Sequence, residues 1–383
     1  TRDYMADLEE DVVIHVLAGK DSLDTRIVRF LATYEELSSH LSVEYTNPMV
    51  YPSVLTDYGV DSNTIVVTCE ATGRQERFSI DDIIGLLPSA VDGVLTDASR
   101  TIYQTTGHDE AALSSTVETL LSKSHISVSS VNLLTDHGIP EDCDLLLIND
   151  PTRDLAADEL EDILEYLAAG GQVIYNMAGE DLSLPNLETL CSTYGMDVAP
   201  GLIADTQRYY QNNPYWFFPL VDNSVDSATG ISNDATLLFC ASRGFTLTDP
   251  ARESITVKSF LTTSEEGVAV TGDSAEDQTP GTYVVAATAT EEIDDGITGR
   301  LTVFGSDSLI NDAINSTFTN LDNLTLFTSA VTVDFDDISS LSIEPVSLET
   351  PTNTISTGGI WALLLIFLIP GALLIYGFIR WLR

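Results

Sequence analysis

An α/β fold is predicted for this chain: a small N-terminal βαβ unit with a following hairpin, a larger parallel-sheet domain, and one C-terminal membrane helix. Three observations predict it. Apolar, β-branched runs alternate with stretches whose apolar residues recur at helical spacing. Gly and Pro punctuate these units where turns and helix ends belong, as at Asn47-Pro48 and Gly170-Gly171. The stretch 360–379 carries 20 residues without a charge. At ~1.5 Å per residue it reaches about 30 Å, the thickness of a bilayer's hydrocarbon core.

Residues 1–90 form the first unit. DVVIHVLAG (11–19) reads as a strand ending in Gly, and Leu23, Ile27, Phe30, Leu31, Tyr34 and Leu37 then mark a helix. LSVEY (41–45) is a strand stopped by Asn47-Pro48, and 64–80 is a hairpin turning near Thr72-Gly73. A βαβ followed by a hairpin is the thioredoxin-like arrangement. The CxxC of thioredoxin chemistry is missing, so a binding or structural version is expected.

Residues 98–341 form the second. Strands are expected at 100–107, 125–134, 143–150 and 172–177, with helices at 109–121 and 156–169. In the second helix Leu160, Ile163, Leu164 and Leu167 make the apolar face, and Gly170-Gly171 ends it. Alternation at this pitch predicts a Rossmann-like parallel sheet of the flavodoxin or amidotransferase type, covered on both faces. An aromatic segment follows, with Tyr209, Tyr210, Tyr215, Trp216, Phe217 and Phe218. Further strands are expected at 236–240, 254–261, 282–288 and 300–304, and the acidic loop 265–281 should be exposed.

A Ser/Thr/Pro-rich linker (342–359) leads to the apolar span (360–379) and a short tail (380–383). Only a helix satisfies its own backbone in lipid, and Trp361, Tyr376 and Trp381 lie near the two ends, where aromatic rings settle. Arg380 and Arg383 follow the span, and no Lys or Arg occurs between Arg300 and it. The positive-inside rule therefore puts the tail in the cytoplasm and the preceding residues outside. Such a topology needs an export signal or a first span upstream of Thr1, which is expected. With 16 Lys+Arg against 59 Asp+Glu, the net charge is −43. A field of that sign repels nucleic acid and anionic headgroups, so neither is expected as a partner.

Candidate chemistry gathers at the ends of the predicted parallel strands, where ligands of open α/β sheets bind. TGHDE (106–110) offers Gly107, His108, Asp109 and Glu110, and other strand ends offer Asp150 and Asp307. His108 with carboxylates has the residue types for acid–base work or metal ligation. The same residues also fit a helix start, with Thr106 as cap and acids in the first turn. Trp216 could stack on a polymer or dock a protein. No GxSxG, Walker A, HExxH or GxGxxG occurs, and Asp294-Asp295-Gly296 and 334–337 lack the spacing of a calcium loop. Cys69, Cys143, Cys191 and Cys240 form no CxxC and no zinc spacing, so buried free thiols are expected. No catalytic residue, metal or cofactor is assigned.

The stretches 1–18, QTTGHDE (104–110), LLLINDPTRDLAADELEDILEYLAAGGQVI (145–174), 190–205 and GRLTVFGSDSLIND (299–312), followed by an apolar span ending in Arg, occur in one order. In that order they resemble the Gld-type gliding-motility and auxiliary ABC-transporter family, whose soluble core is shared with an intraflagellar-transport protein. The family typically has Thr-Gly-His-Gly-Glu at 106–110. Here Asp109 replaces the second Gly, which is expected to narrow any pocket at that turn. The resemblance implies a membrane-anchored, extracytoplasmic accessory subunit working with a separate permease and ATPase, with a further membrane segment upstream. It supplies no catalytic residues, and Gly107, His108 and Glu110 carry over only as motif positions.

Three functions compete. The first is a non-catalytic accessory or substrate-binding subunit of an ABC transporter. The second is a surface hydrolase using His108 and nearby carboxylates. The third is an adhesion or scaffold module that docks a polymer or protein through Trp216.

Overall fold

The computed structural model describes residues 5–6, 8–95, 99–271, 280–294, 296–335, 374, 377–380 and 382. The linker 342–359 and nearly all of the span 360–379 lie outside them. Among the described residues no helix is long and apolar enough to cross a membrane. The chain divides into two compact units, Thr1–Ser342 and Ile343–Arg383. The first unit holds every strand of the described residues, in a small N-terminal sheet and a larger part built on the main sheet.

The N-terminal part contains β1 (Val12–Leu17), α1 (Thr25–Glu35), β2 (Leu41–Tyr45), α2 (Ser53–Tyr58), β3 (Thr64–Cys69), β4 (Arg74–Ser79) and α3 (Ile83–Leu95). The sheet order is β2-β1-β3-β4, with β1 parallel to β2 and antiparallel to β3. β3 and β4 form a hairpin that turns at Gly73, whose φ of 71° suits a residue without a Cβ. A core of its own joins Ile14, Val16, Leu31, Ile65, Val67, Leu87 and Val91.

The larger part begins with β5 (Arg100–Thr105), α4 (Ser115–Ser122), β6 (Ile126–Val131), α5 (Leu133–Asp136), β7 (Leu145–Asn149), α6 (Ala157–Ala168), β8 (Gln172–Asn176) and α7 (Pro185–Thr193). Short strands come next: β9 (Met196–Val198), β10 (Leu202–Asp205), β11 (Tyr209–Tyr210), β12 (Asn213–Phe217), β13 (Leu220–Val221), β14 (Phe239–Cys240) and β15 (Phe245–Leu247). The part closes with β16 (Ile255–Thr262), β17 (Gly267–Val270), β18 (Val284–Asp294), β19 (Ile297–Phe304), α8 (Asp312–Thr317) and α9 (Asn323–Thr332).

The main sheet has ten strands and is mixed, which corrects the expected parallel sheet. Strands β19, β8, β7, β5 and β6 lie side by side and parallel. Beyond β19, strands β18, β16 and β13 continue antiparallel. The physical reason is the connection: only two residues separate β18 from β19 in the sequence, too few for a parallel crossover. Both faces are covered, and the alternation of β7 shows it. Leu145 and Leu147 pack with Val117, Leu121 and Phe327 on one face. Leu146 and Ile148 pack with Leu160, Ile163 and Leu167 on the other.

The first helix of this part is shorter than expected. It spans Ser115–Ser122 and is capped by Ser114, which accepts from the Val117 amide at 3.3 Å. Residues 109–114 form no helix, because Asp109 takes a left-handed φ of 57°. All four cysteines are free. Cys69 and Cys191 are buried as expected, while Cys143 and Cys240 are only half-buried.

Candidate functional site

The order of the parallel strands fixes where a site can form. From β5 the chain passes to β6 on one side and then to β7 on the other, so a topological switch point lies between β5 and β7. Beyond the carboxyl ends of the strands at such a point, the loops part and leave a crevice. The TGHDE loop follows β5, Asp150 follows β7, Gly179 and Glu180 follow β8, and Asp307 follows β19. The six candidate residues fall into two groups here.

The first group is closed. His108 is buried, its side chain 9% exposed, between Glu110 at 3% and Glu159 at 1%. Its Nε2 lies 2.8 Å from Glu159 Oε2 and its Nδ1 lies 3.4 Å from Glu110 Oε1. The His108 amide donates to Glu110 Oε2 at 2.7 Å, and its carbonyl accepts from the amides of Thr152 and Arg153, each at 3.1 Å. Glu159 also accepts from the Ala156 amide at 2.7 Å, which caps α6. His108 thus bolts the β5 loop to the first turn of α6 and to the loop after β7. Gly107 makes the turn possible: its φ is 120°, and a Cβ there would sit 2.7 Å from Asn132 Nδ2.

Below this bolt runs a chain of buried amides. Asn176 Nδ2 donates to Asn149 Oδ1 at 2.9 Å, and Asn149 Nδ2 and Gln104 Nε2 both donate to the Ala111 carbonyl at 2.7 Å. It ties the ends of β5, β7 and β8 to the irregular segment 109–114.

The second group is open. Asp150, Asp307 and Trp216 line one cleft of about 530 Å³, together with Glu180, Cys240, Asn311 and Phe318. Gly107, His108 and Glu110 do not line it. Asp109 does not narrow it either, since its half-exposed carboxylate pairs with Arg153 at 2.7 Å. Asp150 holds a left-handed φ of 53°. Burial pushes its carboxyl up to about 6, with the charge of Asp307 adding to the effect. Burial also raises Asp307, partly offset by the Asn311 amide that donates to its Oδ2 at 2.7 Å. The Cys240 thiol is pushed up to about 12, first by burial and then by Asp307. No ion pair is formed by Asp150, Glu180 or Asp307 among the described residues.

An aromatic panel walls the cleft. Tyr210 stacks on Trp216 with ring centroids 6.3 Å apart and meets Phe318 edge-on at 5.2 Å. β11, β12 and β14 form the small sheet that carries it, and Phe217 is fully buried beside Phe239. The aromatic segment therefore both packs and presents: Phe217 anchors it and Trp216 is left at the cleft.

Glu159 and Phe318 were not picked out from the sequence. Glu159 stands at the third position of α6, where a capping acid belongs, but the cap residue is Ala156 and the usual Ser or Thr signal is missing. Phe318 follows a six-residue helix and carries no sequence signal. Among the described residues no group of three or more His, Cys, Asp or Glu is placed to hold a metal.

No protein-family model matches the chain, and no curated protein matches it. Similar solved structures exist. The N-terminal domain of mmIFT52 is 18% identical over 62% of this chain and 99% of its own length, with a TM-score of 0.46. A ThuA-like protein of Bacteroides uniformis is 10% identical over 62% of this chain and 92% of its own, with a TM-score of 0.37. PurLQS of Thermotoga maritima is 12% identical over 61% and 99%, also at 0.37.

Proposed function

We propose that the chain is a non-catalytic, ligand-binding accessory subunit of an ABC transporter, held by the span 360–379 with its folded part outside the cytoplasmic membrane. A separate permease and ATPase complete the transporter. The partners come from the sequence resemblance and the placement from the charge pattern around the span. One observation carries the binding role: the open cleft beyond the carboxyl ends of β7, β8 and β19 is lined by carboxylates and aromatic rings, while the histidine after β5 is locked between two glutamates outside it. A general base must reach its substrate, and His108 does not line the cleft. We read the N-terminal unit as thioredoxin-like and the larger part as a Rossmann-like core extended by antiparallel strands.

The test is purification of the full-length chain from its native membrane in mild detergent. Co-purification of a permease and an ATPase, lost when 360–379 is replaced by an unrelated span, supports the proposal. A monodisperse chain without either subunit sinks it.

A second reading, hydrolysis by the cleft's carboxylates, draws on the raised Asp150 beside Asp307. It requires turnover with a rate limb near pH 6 that Asp150→Asn abolishes. Turnover that survives this change would end it.

A further inference from the structure

The cleft's lining bears on the class of ligand. Three acidic residues, Asp150, Glu180 and Asp307, face one space of about 530 Å³, and among the described residues no Lys, Arg or His lines it. Opposite them stands the panel of Trp216 and Phe318, held in place by Tyr210. A neutral polyol leaves the repulsion between Asp150 and Asp307 in place unless one of them takes a proton. A cation relieves it with both ionised, and the face of an aromatic ring attracts a cation rather than an anion. Asn311 Nδ2 donates to Asp307, and no cationic side chain among the described lining residues would balance the charge of an anionic ligand.

We propose that this cleft takes a small organic cation, an amine or quaternary ammonium whose charged end meets Asp150 and Asp307 and whose apolar part lies on Trp216 and Phe318. The inference rests on the cleft being the subunit's ligand site and specifies that ligand's chemistry.

Isothermal titration of the full chain in detergent tests it, with choline and spermidine as the cations. The uncharged isostere of choline, in which tert-butyl replaces trimethylammonium, is the control. At least one cation should bind, with the isostere and the Asp150→Asn and Asp307→Asn variants each weaker by about tenfold or more. Asn tolerates the left-handed conformation of Asp150, so that variant keeps the loop. Trp216→Ala should weaken binding by several-fold while leaving the thermal transition nearly unchanged. Affinity should rise as pH climbs from about 5 to 7, since burial, with the charges of Asp307 and Glu180 adding to it, pushes the Asp150 carboxyl up to about 6. Isostere binding equal to choline's, or no heat from either cation at millimolar concentration, overturns the proposal. Permease co-purification reports on the accessory role separately: a chain that keeps its permease but ignores both cations loses only the cation.

Discussion

The loops at one edge of the main sheet divide into two kinds. The loop after β5 carries the residues that look most like chemistry, yet its histidine meets a carboxylate at each ring nitrogen and is shut away. From the loops after β7 and β19, Asp150 and Asp307 carry little sequence signature, yet these two face open space and lack cationic partners among the described residues. Residue type alone did not separate a closed structural bolt from an open cleft. Partner satisfaction did, because a polar group whose bonds are all made inside the fold has little left to offer a ligand.

The sharpest way to break that comparison is at Glu159. Its replacement by Ala removes the partner of His108 Nε2 and the cap of α6 together. A loss of about 3 kcal/mol is expected in urea unfolding, with ligand affinity at the cleft preserved in the fraction that folds. Affinity falling while stability holds would put the bolt inside the site.

The converse change is Asp150→Asn. A carboxyl whose folded value is raised above its unfolded one gives stability below the unfolded value and loses it as pH rises through the folded one. The wild type should therefore lose stability between about pH 4 and 6, and the variant should not. At pH 7 the variant should be more stable by about 1 kcal/mol, allowing for solvent screening of a half-exposed group. Thermal melts of both proteins at pH 4 and pH 7 read this directly, and an unchanged difference between them contradicts the placement of Asp150.

Trp216 separates presentation from packing. Because it is 36% exposed, Trp216→Ala should cost under about 1 kcal/mol, whereas Phe217→Ala, emptying a fully buried site, should cost about 3 to 4. Equal costs would mean that the panel is ordinary core. The smallest effect concerns Cys240, which lines the open cleft but holds its proton up to about 12. Iodoacetamide at pH 7.5 should leave it essentially unmodified in the native protein, and rapid alkylation would show a thiolate where burial forbids one.

Much of the architecture was legible. Leu145–Ile148 announced a strand buried on both faces, and Leu160, Ile163 and Leu167 announced the helix that covers one of them. The helix at 109–121 was misplaced because Asp109 resembles a first-turn acid, whereas its positive φ and its pair with Arg153 keep the chain irregular until Ser114. The antiparallel half of the sheet did leave a trace, since no helical pattern separates the strands around 255–262, 284–294 and 297–304. The site was half legible. Strand ends pointed to Asp150 and Asp307, and composition pointed to Trp216. Their meeting, and the roles of Glu159 and Phe318, depend on contacts between distant segments that no local pattern encodes.

The pairing of β19 with β8 bears on how the protein comes into being. β19 adds to β8 in parallel, Arg300 opposite Gln172 and Phe304 opposite Asn176, closing a gap of about 128 residues. Asp307 reaches the vicinity of Asp150 only after that closure. A nascent chain emerging from its N-terminus can therefore complete the first sheet early, but the cleft stays unformed until β19, the last strand among the described residues, has paired. Such distant pairings are slow, so maturation of the cleft should lag behind the compaction of everything before it.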